Sequence, residues 1–532
     1  MNPPDSAAAP AAAVLRHPRY LNLLVFVAGA ATLGLELTAA RLLDPWFGNS
    51  ILVWAALIGL VLACLSVGYW LGGKLADRRP VPALLYAISL SGAILLALVP
   101  VLSRPILQRT ALSALELTLG EVSLGLLLAA GLAIFLIFSL PTLLLGMVSP
   151  FAVRLALADV ASGGQVAGRL YALSTLGSLV GTFLPVLVLI PALGARLTFV
   201  ALAGALALVS VIGLARERGA RAAAPALLTL PLLAGLGWIS AQGPVKPEPG
   251  LLAEGESLYN YYQVVQRGPE TWLKLNEGIG LHSVYHPQSA LSNGIWDYFL
   301  IAPRFAAAPA ADPASLYLVG LAGGTVAQLY TDVYGPIPID GAELDPEIIA
   351  AAQTYFHLDD YPNVNAVALD GRRFLLQQPA DQRYSVIALD AYRPPYIPFH
   401  LTTVEFFELV RAHLTADGVV AVNAARSRDD YRLVEALAST LAQVFPSVYV
   451  VDESTEDYDL GNSLIVATVQ PTTLADFQRN AAAVEDPLLA EVAARALPTA
   501  RLATTAGPIL TDDKAPVEQI IHGIVLRFLL GG

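Results

Sequence analysis

The sequence predicts a protein in two parts. An N-terminal α-helical multi-pass membrane bundle is followed by an α/β part, a Rossmann-like doubly wound sheet preceded by a small β-strand subdomain. Three observations predict this. Apolar residues make up 55% of the 532 and charged residues 14%, with a mean hydropathy of +0.60, too apolar for a single water-soluble fold of this length. Charge divides the chain: up to Pro244 there are 14 Lys and Arg against 8 Asp and Glu, and beyond it 17 against 35. From Ser315 onward, short apolar runs alternate with helical patterns, as in a doubly wound sheet.

Taken in order, residues 1–19 form a tail and 20–242 a transmembrane region. Apolar stretches of spanning length fall at 20–40, 51–73, 82–103, 121–146, 171–194, 196–215 and 223–241, which makes about seven helices. The first is too long, and carries Glu36 and Arg41, for the apolar core of a cleaved signal peptide, so it reads as a retained span. Gly177 and Gly181 stand four apart, a spacing that lets helices approach closely. Pro141, Pro150 and Pro185 are expected to kink or end their helices. Within a span, Glu36 must face protein or a water-filled cavity. The single cysteine, Cys64, lies in an apolar run and offers neither a disulfide framework nor a metal cluster, and no metal is expected.

A linker at 243–253 leads to the β subdomain at 254–312 and the α/β domain at 313–532. In the latter, strands are expected in "SLYLVGL", "PIDGAELD", "VNAVALD", "YSVIALD" and "GVVAVNAA", with "SVYVVD" and "NSLIVATV" closing the sheet. Ligands of such sheets bind outside the carboxyl ends of the strands. Glu343, Asp370 and Asp390 each end a successive strand and should line one crevice. Gly320, Gly323 and Gly324 form the turn after the first strand, where backbone approaches a ligand closely. Glu343 follows Gly320 by 23 residues, the offset at which an acid holds ribose hydroxyls, and Asp370 is placed to accept from the amine of adenine. Together these point to an adenosyl cofactor. Asp345, before Pro346, reads as a helix N-cap. Asp390 does not, because Pro394 and Pro395 forbid a helix there. The acidic balance disfavours nucleic acid, which wants a basic face, and suits a cationic ligand.

The segments "ESLYNYYQVV", "YLVGLAGGTVA", "GAELDPEII", "ALDGRRFL", "VIALDAYRPPYIP" and "LTDDKAPVE", spread over roughly 254–522, resemble the spermidine synthase (polyamine aminopropyltransferase) family in the form fused to a multi-pass membrane domain. The resemblance implies a methyltransferase-type sheet and transfer of an aminopropyl group from decarboxylated S-adenosylmethionine to a di- or polyamine such as putrescine. It implies that Gln263 contacts the nucleoside, Glu343 the ribose, and Asp370 with Gly371 the adenine. Asp390 matches the acid that takes a proton from the attacking amine. Trp296, Asp297, Tyr392 and Arg393 fall on the substrate side, and a homodimer is compatible with the family.

The sequence also departs from that family. Gly323 stands where the family carries an Asp for the cofactor's amine, and Arg393 replaces a second acid. Trp296-Asp297-Tyr298 takes the place of a Tyr-His-Glu or Tyr-Gln-Glu segment. These departures keep two other readings open: an amine methyltransferase using intact S-adenosylmethionine, and a polyamine transporter or sensor that binds without turnover. The basic loops put the N-terminus in the cytoplasm, and seven crossings would then place the α/β part outside. Because both cofactors are made in the cytoplasm, the catalytic domain is nevertheless expected on the cytoplasmic face of the cell membrane.

Overall fold

The computed structural model describes residues 18–48, 51–117, 122–157, 162–276, 280–307, 311–392, 397–453 and 460–529. The chain divides into two compact units, Met1–Pro247 and Glu248–Gly532.

The first unit is all helical: α1 Pro18–Phe47, α2 Ile51–Arg78, α3 Pro82–Leu117, α4 Val122–Ala156, α5 Gly163–Leu184, α6 Ile190–Arg218, α7 Ala220–Ala223 and α8 Thr229–Ser240. Among the described residues, six helical stretches are long and apolar enough to cross a membrane. One of them, Gly163–Arg218, has 56 residues, about 80 Å of helix at 1.5 Å per residue against a hydrocarbon core of about 30 Å. Its helical path breaks at Gly194, where φ is 77°, so this one stretch holds both the fifth and sixth spans expected from sequence. Pro185 opens a π-helical turn between α5 and α6, whereas α4 runs on through Pro141 and Pro150.

Close backbone approach explains the glycines. A Cβ on Gly177 would sit 1.9 Å from the carbonyl oxygen of Phe26, and one on Gly181 2.1 Å from that of Ala30. These contacts advance together along both helices, so α1 and α5 run parallel with small residues at the seam. The Cβ of a Gly181→Val variant has no room to relax into. We expect that variant to lose at least about 1–3 kcal/mol, the usual cost of overpacking, seen as a lower melting temperature in detergent, while Gly204→Val on α6, where a Cβ meets nothing within 4 Å, leaves it unchanged.

Other pairs fix the directions of the remaining helices. Tyr20 and Tyr86, near the starts of α1 and α3, have ring centroids 6.5 Å apart, and Arg216, near the end of α6, lies over the Tyr20 ring. Arg154 at the end of α4 pairs with Asp77 at the end of α2. A Cβ on Gly237 of α8 would lie 3.2 Å from Val200 of α6. Finally, Arg196, at the start of α6, donates to the Gly243 carbonyl.

The second unit begins with a four-stranded antiparallel sheet, β1 Leu251–Glu256, β2 Tyr261–Arg267, β3 Glu270–Leu275 and β4 Leu281–Tyr285, in that spatial order. Its first strand takes up residues that the sequence assigned to the linker. After the short α9 Ile295–Tyr298 come β5 Leu316–Val319, α10 Thr325–Tyr334, β6 Ile339–Glu343, α11 Pro346–Tyr355, β7 Val364–Ala368, α12 Gly371–Gln377, β8 Tyr384–Leu389, α13 Val404–Ala412, β9 Leu414–Ser427, α14 Arg432–Leu441, β10 Ser447–Asp452, β11 Leu460–Thr468, α15 Leu474–Ala482, α16 Pro487–Ala496, β12 Arg501–Leu502 and α17 Val517–Leu529. The eight-stranded sheet has the order β12-β10-β11-β9-β8-β5-β6-β7. It is parallel from β9 to β7 and antiparallel beyond. The central parallel strands β5 and β8 are buried on both faces, which is why they read as continuous apolar runs, while β7 at the sheet edge is not.

Candidate functional site

Strand order reverses at β5: the chain next lays β6 and β7 on one side, then β8 and β9 on the other. Such a switch point opens a crevice at the strand carboxyl ends, and the turn Gly320–Gly324 and the strand-end acids Glu343, Asp370 and Asp390 stand at those ends. The turn after β5 holds Gly320 at φ 88°, Ala322 at 47° and Gly324 at 90°. A Cβ on Gly320 would lie 2.5 Å from the Asp390 carbonyl oxygen, so glycine lets the turn close directly onto the end of β8. The amides of this turn are all used within the protein. Gly320 and Leu321 donate to Ala342, Gly324 to Leu321, Ala322 to Glu343 Oε2 and Gly323 to Ser283 Oγ. Within Gly320–Gly324, no N–H is left over to cradle a phosphate.

Asp390 is held from two sides. Trp296 Nε1 donates to its Oδ2 at 2.9 Å and Asn423 Nδ2, on β9, to its Oδ1 at 2.8 Å. Burial pushes the carboxyl up to about 7, against the lowering effect of those two donors. A carboxylate has lone pairs beyond the two in use, so Asp390 can still accept a proton near neutral pH.

Glu343, at the end of β6, receives the amides of Ala322 at 3.0 Å and Asp345 at 3.2 Å. Burial pushes its carboxyl up, and those amides oppose the shift. Asp345 caps α11 through Glu347 N, as the sequence suggested, and its other oxygen takes Ser257 Oγ and Asn260 Nδ2. The "ESLYNYY" segment is thereby pinned beside Glu343. Asp370 caps α12 through Arg373 N at 2.9 Å and lies 2.7 Å from His400 Nε2. Burial raises its carboxyl, but His400 and the helix amides outweigh burial and hold it below the usual range. A Cβ on Gly371 would press within 2.4 Å of Val319, so glycine there docks α12 against β5. Gln263 is buried on β2, opposite Lys274.

The substrate-side residues divide. Trp296 joins Asp390. Asp297 is fully buried, taking the Ser292 hydroxyl and the Ser292 and Asn293 amides and pairing with Arg495 at 2.9 Å. Those contacts tie α9, which carries Trp296, to the turn before it and to α16. Tyr392 Oη donates to the Asn423 carbonyl and accepts from Ala425 N, tying the loop after β8 to β9. Arg393 lies outside the described residues. At Gly323 a Cβ would meet Ser283 Cβ at 2.7 Å and Phe356 at 3.0 Å, so a larger side chain has no room there.

Sequence reasoning missed Asn423, Ser283 and the His400–Asp370 contact. Asn423 left a signal, as a polar residue inside the apolar run "VVAVNAA", and His400 could be placed near the site but not paired with Asp370. Among the described residues no group of three His, Cys, Asp or Glu could hold a metal ion.

No family model matches the chain. A probable polyamine aminopropyl transferase of Bifidobacterium longum (strain NCC 2705) is 31% identical over 297 residues, covering 52% of this chain and 64% of the relative. A polyamine aminopropyltransferase of Vibrio vulnificus (strain CMCP6) is 29% identical over 138 residues, covering 26% and 45%. The chain therefore spans less than two thirds of either relative's length. Among solved structures, a probable spermidine synthase from Corynebacterium glutamicum ATCC 13032 aligns with 50% of this chain and 97% of its own at 18% identity and a TM-score of 0.40.

Proposed function

We propose that this chain, similar in sequence to polyamine aminopropyltransferases, is a membrane-bound aminopropyltransferase that moves an aminopropyl group from decarboxylated S-adenosylmethionine to a di- or polyamine. The observation that carries the reading is Asp390: a recessed carboxyl at the switch point, oriented by Trp296 and Asn423 and pushed to about 7. A primary amine is protonated at neutral pH and has no lone pair until it loses a proton. Asp390 accepts that proton and holds the nitrogen in place. The nitrogen then bonds to the methylene carbon beside the sulfonium. The carbon–sulfur bond breaks with its electron pair on sulfur, and neutral methylthioadenosine leaves.

Glu343 supports the nucleoside half of the reading. Its two oxygens are fixed by backbone amides, which leaves further lone pairs for a diol. A turn with no spare amide suits a nucleoside without phosphate. Glu343→Gln is expected to weaken methylthioadenosine binding about tenfold or more, the loss of a hydrogen bond to a charged group, as titration calorimetry would register.

Gly323 favours a second reading. Ser283 and Phe356 fill the space beside it, so no acid can stand there to hold the amine of a decarboxylated cofactor, and intact S-adenosylmethionine becomes the competitor. Mass spectrometry of the full chain incubated with putrescine and each cofactor separates the two. Methylthioadenosine with spermidine supports aminopropyl transfer. Adenosylhomocysteine with a methylated amine overturns it in favour of a methyltransferase.

A further inference from the structure

The two ends of the helical unit differ in charge, and the chain enters at one and leaves at the other. Tyr20 of α1, Tyr86 of α3 and Arg216 of α6 meet at the entry end. The ends of α2 and α4 share an end through Asp77 and Arg154, and the three residues between α2 and α3 put that end with Tyr86. Gly243, just past α8, instead meets Arg196 at the start of α6, while Lys246 lies 6.0 Å from the ring of Trp46 at the end of α1. These belong to the far end.

Crossings counted by direction therefore number seven. The 56-residue stretch supplies two, since α5 runs parallel to α1 while α6 runs against it: a Cβ on Gly34, near the middle of α1, meets Leu202, near the middle of α6, whereas Tyr20 at the start of α1 meets Arg216 near the end of α6. The entry end carries Lys74, Arg78, Arg79, Arg154, Arg216 and Arg218. The far end carries Arg41, Arg104, Arg109 and Arg196, of which Arg196 is bonded to the exit segment and Arg41 stands 3.9 Å from Asp44.

We propose that the basic entry end faces the cytoplasm and that seven crossings deliver the chain from Glu248 onward to the extracytoplasmic side, so that Asp390 and Glu343 meet amines and nucleosides drawn from outside the cytoplasm. Basic residues stay on the cytoplasmic side of short loops, and an odd number of crossings puts the two ends of the unit on opposite sides. This placement differs from the cytoplasmic one expected from cofactor supply. An adenosyl sulfonium made in the cytoplasm must then be exported to reach the site, or the site serves a ligand already outside.

The test does not depend on turnover, so it can fail while aminopropyl transfer stands, and the reverse. In the full chain carrying Cys64→Ala, a single cysteine is introduced at Val81, exposed between α2 and α3, or at Gln353, exposed on α11. Right-side-out spheroplasts are treated with a membrane-impermeant maleimide before and after lysis, and both variants must label in denaturant. The proposal expects Gln353→Cys to label before lysis and Val81→Cys only after it. Labelling of Gln353→Cys only after lysis, or of Val81→Cys before it, overturns it.

Discussion

Replacing Asp390 by asparagine lowers turnover by about 10²–10⁴-fold, the usual contribution of a positioned general base, with methylthioadenosine release as the readout. Asparagine keeps the shape, and its amide oxygen still accepts the Trp296 N–H. Binding of methylthioadenosine and the melting temperature should therefore stay close to those of the parent chain. An Asp390→Asn chain that kept full turnover would falsify the role proposed for Asp390. A chain that lost nucleoside affinity along with turnover would point to a binding role instead.

The second large effect is on pH. Asp390 can take a proton only when ionised, and its carboxyl is pushed to about 7 by burial. The rate at subsaturating substrate should fall tenfold per unit as pH drops below about 7. Trp296→Phe removes an N–H donor that favours the ionised form. The acid limb should then move upward by about one unit, since a hydrogen bond to a charged group contributes about 1.5 kcal/mol or more and one unit is about 1.4 kcal/mol. A pH–rate profile of both chains decides this, and an acid limb that stays put or moves down after Trp296→Phe removes Trp296 from that role. Stability follows the same proton. The folded carboxyl holds it more tightly than the ordinary value of 3.8 allows, so stability declines as pH rises from about 4 to about 7 and levels off above. Asp390→Asn should flatten that decline.

Legibility followed the range of the interactions. The acids at strand ends could be read from sequence because an apolar run fixes where a strand stops, and a parallel sheet aligns those stops. Asp390 stood out because no helix could follow it. Its partners were not readable in the same way: Trp296 arrives from 94 residues earlier and Asn423 from 33 later, and no local pattern encodes such a meeting. Asp297 and Tyr392 carry chemistry suited to an amine, yet burial gave both to loop anchoring. Gly177 and Gly181 were legible as a packing seam because helical spacing is local. The division into fifth and sixth spans was expected from the length of the apolar text, while its cause, a positive-φ, non-helical Gly194 after a π-helical turn, depends on backbone geometry.

The closed turn after β5 has a consequence for competition. ATP and the dinucleotides share adenine and ribose with the proposed ligand, and Glu343 and Asp370 could address those parts of each. Their phosphates would meet a turn whose amides are already engaged, beside the recessed acids Glu343 and Asp390. Charged oxygens taken out of water without partners are costly to bury. If the proposed site is the nucleoside site, its turn discriminates by withholding bonds rather than by adding them, and adenine nucleotides are expected to compete poorly with methylthioadenosine in a binding assay.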